Sequence, residues 1–291
     1  MRHVARLSQQ CVLLVSLLLL PVATSFPAHG ADDPASPVVY LPLVAHPAPP
    51  DMVLVPAGPF QMGCNPDHDP GCQPYEQPLH TVTLDAYAID IHEVTNARYA
   101  ACVAEGGCTP PQSNQAYSRL RSFYTYYGVA LYANYPVIYV NWFQAYDFCI
   151  WDGKRLPTEA EWERAARGSI DTRIYPWGNA TPDCTRLNFF DDPSYCVGET
   201  SAVGSFPSGA SRDGVRDMSG NVWEWVNDRW QADYYSISPP ANPPGPAIGE
   251  FRVLRSGSFD YNARFMRAAS RVFVEPAYKD HLIGFRCVRS P

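Results

Sequence analysis

After its first thirty residues the 291-residue sequence has no apolar run long enough to span a membrane, no basic stripe and no internal repeat. It also lacks His-Glu-x-x-His and Gly-x-Ser-x-Gly patterns. The first absence excludes a membrane-spanning helix in the body of the chain. Without a basic stripe there is nothing to displace counterions from a phosphate backbone, so nucleic acid is excluded as a partner. The missing motifs leave a zinc protease and a serine hydrolase without local support. His80, His92 and His281 are scattered singly, and Ser258 and Ser270 stand outside any nucleophile-elbow setting.

What is present begins with a leader. Residues 1–30 carry a basic start (Arg2, Arg6), an apolar run from Val12 to Leu20, and a small-residue end at Ala28-His29-Gly30, the pattern of a cleaved secretory signal. No cysteine follows the run closely enough for a lipid anchor, and Cys11 leaves with the leader. The formal charge of −7 becomes −9 once Arg2 and Arg6 are removed. Residues 31–50 are rich in Pro and Ala and read as an extended linker, with a short strand at Val38 to Val44. The folded domain is expected over 51–291.

Eight cysteines remain: Cys64, Cys72, Cys102, Cys108, Cys149, Cys184, Cys196 and Cys287. An even count in an oxidising compartment favours disulfides. Short loops suggest Cys64 with Cys72, Cys102 with Cys108 and Cys184 with Cys196, leaving Cys149 and Cys287 over. His68, between Asp67 and Asp69 inside the first of these loops, offers a zinc ligand, but a disulfide-closed acidic loop is the preferred reading. Asn179-Ala180-Thr181 fits a glycosylation acceptor.

Three helices are predicted. One follows Thr158 as N-cap with Glu161 as capping-box partner, presents Trp162, Ala165 and Ala166 on one face, and stops at Gly168. A second runs from Trp142 to Trp151 before Asp152-Gly153, and a third starts after Thr95 and stops at Gly106-Gly107. Short apolar runs such as Thr81 to Ala88 and Phe251 to Leu254 predict short strands amid ordered loop. The segment Asp217-Met218-Ser219-Gly220-Asn221-Val222-Trp223-Glu224-Trp225 sets two indoles around a carboxylate after a turn of Asp, Ser, Gly and Asn. Oxygen ligands beside an aromatic wall suit a hard cation.

Ordered blocks across the chain resemble the formylglycine-generating enzyme (sulfatase-modifying factor) family. They are Val55 to Gly63, Glu93-Val94-Thr95-Asn96, Pro136-Val137, Lys154 to Glu163, Tyr175 to Asn179, Asp217 to Trp225, Arg255 to Ser258 and Gly284 to Cys287. The resemblance implies an α+β, C-type-lectin-like fold with little regular secondary structure, small antiparallel sheets and a few helices. It also implies a Cys149–Cys287 bridge. In that family calcium is held by positions matching Asp217, the carbonyls of Gly220 and Val222, and Glu224, so calcium is the expected cofactor. The competing reading pairs Glu224 with an arginine and has Asp217 cap a turn. A second family site would engage Asn188 and the carbonyl of Phe189, with Asp191 or Asp192 replacing a carboxylate that does not align.

Active members of the family resemble one another in carrying two cysteines after the Gly-Gly-Ser-aromatic block, where their thiolates bind copper(I). Here the segment reads Ser258-Phe259-Asp260-Tyr261-Asn262-Ala263-Arg264-Phe265-Met266-Arg267 and holds no cysteine, so copper is not expected. Met266 reads as a core filler. Arg255, Arg264, Arg267, Arg271 and Arg286 read as an internal ion-pair lattice. The favoured function is a secreted, non-oxidising, calcium-stabilised module that binds a peptide, glycan or extracellular protein through Trp223, Ser258, Phe259, Asp260, Tyr261, Asn262 and Phe265. One form of it is a receptor whose C-terminal tail is diversified. The alternatives are an oxidase acting on a sulfatase cysteine through a rearranged site, and an extracellular accessory to a partner enzyme.

Overall fold

Three short helices start where capping chemistry places them. The computed structural model describes residues 51–169 and 172–290, so the leader, the linker and the strand expected at 38–44 lie outside the described residues. α1 (Asn96–Ala104) is capped by the Thr95 side chain, which accepts from the backbone N–H of Arg98. α2 (Trp142–Trp151) and α3 (Glu159–Arg167) each open with a capping box, Asn141 with Gln144 and Thr158 with Glu161. Gly168, at φ +88°, ends α3 in a conformation that disfavours other residues.

Between the helices, pairs and small sheets carry the chain. β1 (Met52–Val55) and β13 (Val288–Arg289) flank β4 (Tyr87–Asp90), both antiparallel to it. β2 (Gly58–Met62) pairs with β3 (His80–Leu84), so the Thr81 to Ala88 run is divided between two sheets. β5 (Gln115–Ser118) and β6 (Ser122–Thr125) form a hairpin, as do β7 (Phe190–Asp191) and β8 (Ser194–Tyr195). The central sheet has the order β11 (Val272–Val274), β10 (Arg252–Arg255), β9 (Trp223–Arg229), β12 (Ile283–Phe285). Its β12–β9 pair is parallel, a departure from the all-antiparallel expectation that lets the end of the chain enter beside the Trp223 strand.

α3 departs further from its predicted amphipathic form, because all nine of its residues are buried, charges included. The charges are admitted because guanidinium groups meet them. Arg255 donates to Glu159 at 2.8 Å and to Glu163 at 2.9 Å, and Arg271 makes a two-pronged contact with Glu159 at 2.8 Å for each bond. Arg167 adds a 2.9 Å bond to Glu163. Arg267 joins Glu76 and Asp69, and Arg286 joins Glu224, so the expected lattice is present around four of its five arginines. Arg264 stays exposed on the loop after Asn262.

Every cysteine among the described residues is paired: Cys64–Cys72, Cys102–Cys108, Cys149–Cys287 and Cys184–Cys196. The acidic loop around exposed His68 is closed by its disulfide. The one His/Cys/Asp/Glu cluster among the described residues that has metal-ligand spacing is Cys64, Cys72 and Glu76, whose two sulfurs are bonded to each other. Met266 is fully buried against Leu187 and Phe189. Asn179 is exposed at its glycosylation triplet. No described helix is long and apolar enough to cross a membrane.

Candidate functional site

The turn leading into β9 is built from left-handed residues. Asp217 has φ +56°, Gly220 +84° and Asn221 +60°. A Cβ on Gly220 would lie 2.4 Å from the carbonyl oxygen of Asn188, so only glycine fits this approach. Neighbouring backbone pins the turn: Gly220 N–H donates to Ser256 O and Asn221 N–H to Asn188 O, each at 2.9 Å. The Asn221 side chain is the hub, its Oδ1 accepting from Ser201 N–H at 2.9 Å and its Nδ2 donating to Glu93 Oε1 at 3.0 Å.

Three buried carboxylates, those of Glu93, Asp217 and Glu224, interact electrostatically around this hub. Both oxygens of Glu224 are taken by Arg286, at 2.8 Å from Nη2 and 2.7 Å from Nε, and Trp162 Nε1 donates to Oε2 at 2.8 Å. Asp217 Oδ2 accepts from Gly204 N–H at 2.6 Å. Glu93 Oε2 is buried with no hydrogen-bond partner among the described residues. Burial first, then the Asp217 charge, pushes the Glu93 pKa well above the usual carboxylate range, and burial raises Asp217 against the pull of Gly204 N–H. Beyond Arg286, burial and the charges of Arg286 and Arg216 push His92 down to about 4, so it is neutral near pH 7.

Of the four ligands named from sequence, Asp217 faces this group, the Gly220 carbonyl accepts from Ser256 Oγ at 3.2 Å, and Val222 is buried. Glu224 is the member engaged elsewhere, with an arginine as the competing reading required. Glu93 was missed, although it stands in one of the matching blocks; its burial depends on a contact 128 residues away. At the second location Asn188 Nδ2 donates to Glu199 O at 2.7 Å, Asn188 Oδ1 is buried without a partner among the described residues, and the Phe189 carbonyl accepts from Cys196 N–H at 3.1 Å. Asp191 and Asp192 are both exposed.

The loop after β10 packs an aromatic cluster against Trp223. Trp223, Tyr261 and Phe265 form an edge-to-face triad with centroid separations of 5.3, 6.0 and 5.0 Å. Tyr261 is the exposed member, whereas Trp223 is only 3% exposed. Asp260 is gripped by Arg119 from the β5–β6 hairpin through bonds of 2.8 and 2.5 Å, and Arg119 lies 5.3 Å from the Tyr117 ring and 5.8 Å from that of Tyr195. Asn262 is exposed and its Oδ1 accepts from Arg264 N–H at 3.2 Å. Ser258 and Phe259 lie beneath the surface: Phe259 is fully buried in the core, and Ser258 Oγ is buried without a partner among the described residues. The sequence therefore marked the aromatic cluster but not Arg119, which pairs with Asp260 beside it.

Fold and site together define a domain of the formylglycine-generating type, with a C-type-lectin-like arrangement of small sheets, three α-helices among the described residues, and a carboxylate-bearing turn beside an aromatic cluster. The chain belongs to the sulfatase-modifying factor enzyme 1-like family, whose profile matches residues 42–291. It is 33% identical over 287 residues to the formylglycine-generating enzyme of Thermomonospora curvata, a match covering 82% of this chain and 93% of that one. It is 32% identical over 281 residues to the inactive C-alpha-formylglycine-generating enzyme 2 of Bos taurus, covering 81% and 87%. Among solved structures it is similar to PvdO from Pseudomonas aeruginosa, with TM-score 0.66, 29% identity, and coverage of 82% of this chain and 94% of that one.

Proposed function

We propose that this domain binds an extracytoplasmic peptide, glycan or protein at the surface where Tyr261 emerges from the cluster with Trp223 and Phe265, without oxidising it. One observation carries the reading: the loop that would have to supply thiolates presents Asp260, Tyr261 and Asn262, and every described cysteine is held in a disulfide. A soft cuprous ion needs soft thiolate ligands, and a buried thioether such as Met266 is no substitute for a pair of them. A relative named as inactive is consistent with a scaffold that persists without the reaction. Four disulfides favour a compartment outside the cytosol. The test offers purified protein copper and a peptide containing Cys-x-Pro-x-Arg, with mass spectrometry as readout. Unchanged cysteine is expected, and formylglycine would overturn the reading. Peptide and glycan arrays then search for the ligand, with Tyr261→Ala as control.

Calcium is proposed as the stabilising ion of the Asp217 turn. Around the single guanidinium of Arg286, three ionised carboxylates would leave an excess of negative charge in a buried site, which is why Glu93 and Asp217 resist ionisation, and Glu93 Oε2 is unpartnered among the described residues. A divalent cation would balance both. Asp217, Glu93 and the Gly220 and Val222 carbonyls are the oxygens to hold it, with Glu224 positioned by Arg286. Calcium would supply charge neutralisation and rigidity to the turn. The expected outcome is a rise in Tm with added calcium, reversed by chelator and abolished in Asp217→Asn. Unchanged melting in the wild type would remove the ion from the account.

A further inference from the structure

The outer end of the central sheet carries an arrangement that neither the family site nor the aromatic cluster uses. In the β9–β10 ladder Arg229 and Arg252 are cross-strand partners, directly opposite each other. Like charges in that position repel and destabilise a sheet unless a counter-charge relieves them. Most other buried or half-buried arginines here have a carboxylate partner, as Arg98, Arg155, Arg164, Arg255, Arg271 and Arg286 do. Among the described residues Arg229 and Arg252 form no ion pair. Their recorded bonds go to backbone carbonyls, Arg229 Nη1 to Gly249 O and Arg252 Nη1 to Asn227 O. Each guanidinium has five N–H donors, so most remain available.

The surroundings narrow what would use those donors. The Arg252 guanidinium carbon lies 3.7 Å from the Trp142 ring centroid, and Trp142 is stacked on Tyr146 at 5.3 Å with an interplanar angle of 23°. Tyr146 is 39% exposed and Phe143, on the same helix, 51%. The pair is half-buried and so partly desolvated, which strengthens any charge-assisted bond it makes. Burial and the opposing Arg229 already push the Arg252 pKa down to about 10; the carboxylate that counters this, Asp228, is buried and accepts from Glu159 N–H. In a chain of net charge −7 this is a localised cationic spot backed by a buried indole.

We propose that Arg229 and Arg252 form an oxyanion-binding site, taking a carboxylate, sulfate or phosphate group between two guanidinium forks, with the buried ring of Trp142 backing the Arg252 fork. The site is separate from the Trp223 cluster and independent of its occupant.

The test follows the indole N–H resonance of Trp142, which donates to Val226 O at 2.9 Å, in NMR titrations of the full domain with sodium sulfate, phosphate and acetate. Sodium chloride at matched ionic strength is the control. Saturable shifts with at least one oxyanion and none with chloride are expected, and the relative affinities distinguish the three chemistries. Arg229→Gln should weaken binding about tenfold or more while leaving the remaining spectrum folded; Arg252→Lys keeps the charge and should lose only the forked geometry. Linear, non-saturating shifts, or the same titration curve in Arg229→Gln and wild type, would overturn the proposal.

Discussion

Glu224 shows how one side chain supports both core and site. It is fully buried and receives two bonds from Arg286 and one from Trp162. Removing one partner of a buried ion pair strands the other charge in low dielectric, so Glu224→Gln should cost about 3–5 kcal/mol, measured by urea unfolding. Tyr261→Ala removes a half-exposed ring with two edge-to-face contacts and should cost about 1–2 kcal/mol, well below Glu224→Gln, while weakening any ligand at this surface. A similar loss of stability in both variants would contradict this division between core and surface. Such side-chain roles were only partly legible in the sequence. Asp217 and Trp223 announced themselves because a local turn and strand place them. Arg119 did not, since its meaning comes from Asp260, 141 residues further along.

At the scale of elements, start signals were the most readable feature. Thr95, Asn141 and Thr158 cap helices because their side chains accept bonds from the first turn, a property of adjacent residues alone. Thr158→Ala should lower stability by about 1 kcal/mol in thermal or chemical unfolding, more if Glu161 also loosens its grip on Arg155. The complete burial of α3 was not legible. Periodicity assigns Glu159, Glu163 and Arg167 to a wet face, and only the arginines arriving from β10 and the loops beyond it make that face dry. The same limit applies to the parallel β12–β9 pair, which no local pattern marks.

For the molecule as a whole, buried acids set the response to pH. Burial first, then the Glu159 charge, raises Asp228 to about 8 from 3.8. Between those values the folded chain holds a proton that the unfolded chain has released, so stability falls as pH rises through that window. Asp228→Asn, which keeps an acceptor for Glu159 N–H, should flatten the fall in a series of melting curves from pH 4 to 8. An unchanged slope would assign the pH dependence to other groups. The disulfide map was readable at this scale only in part: short loops suggested three pairs, and the fourth followed from family resemblance. That fourth bridge, Cys149 to Cys287, ties α2 to the link between β12 and β13 across 138 residues. Arg286, the partner of Glu224, lies beside Cys287, and β12 slots in next to β9, so one short segment closes the core by charge, by strand pairing and by a covalent bond. A chain cut before β12 therefore loses a strand of the central sheet, the guanidinium that meets Glu224 and the long-range disulfide in a single step.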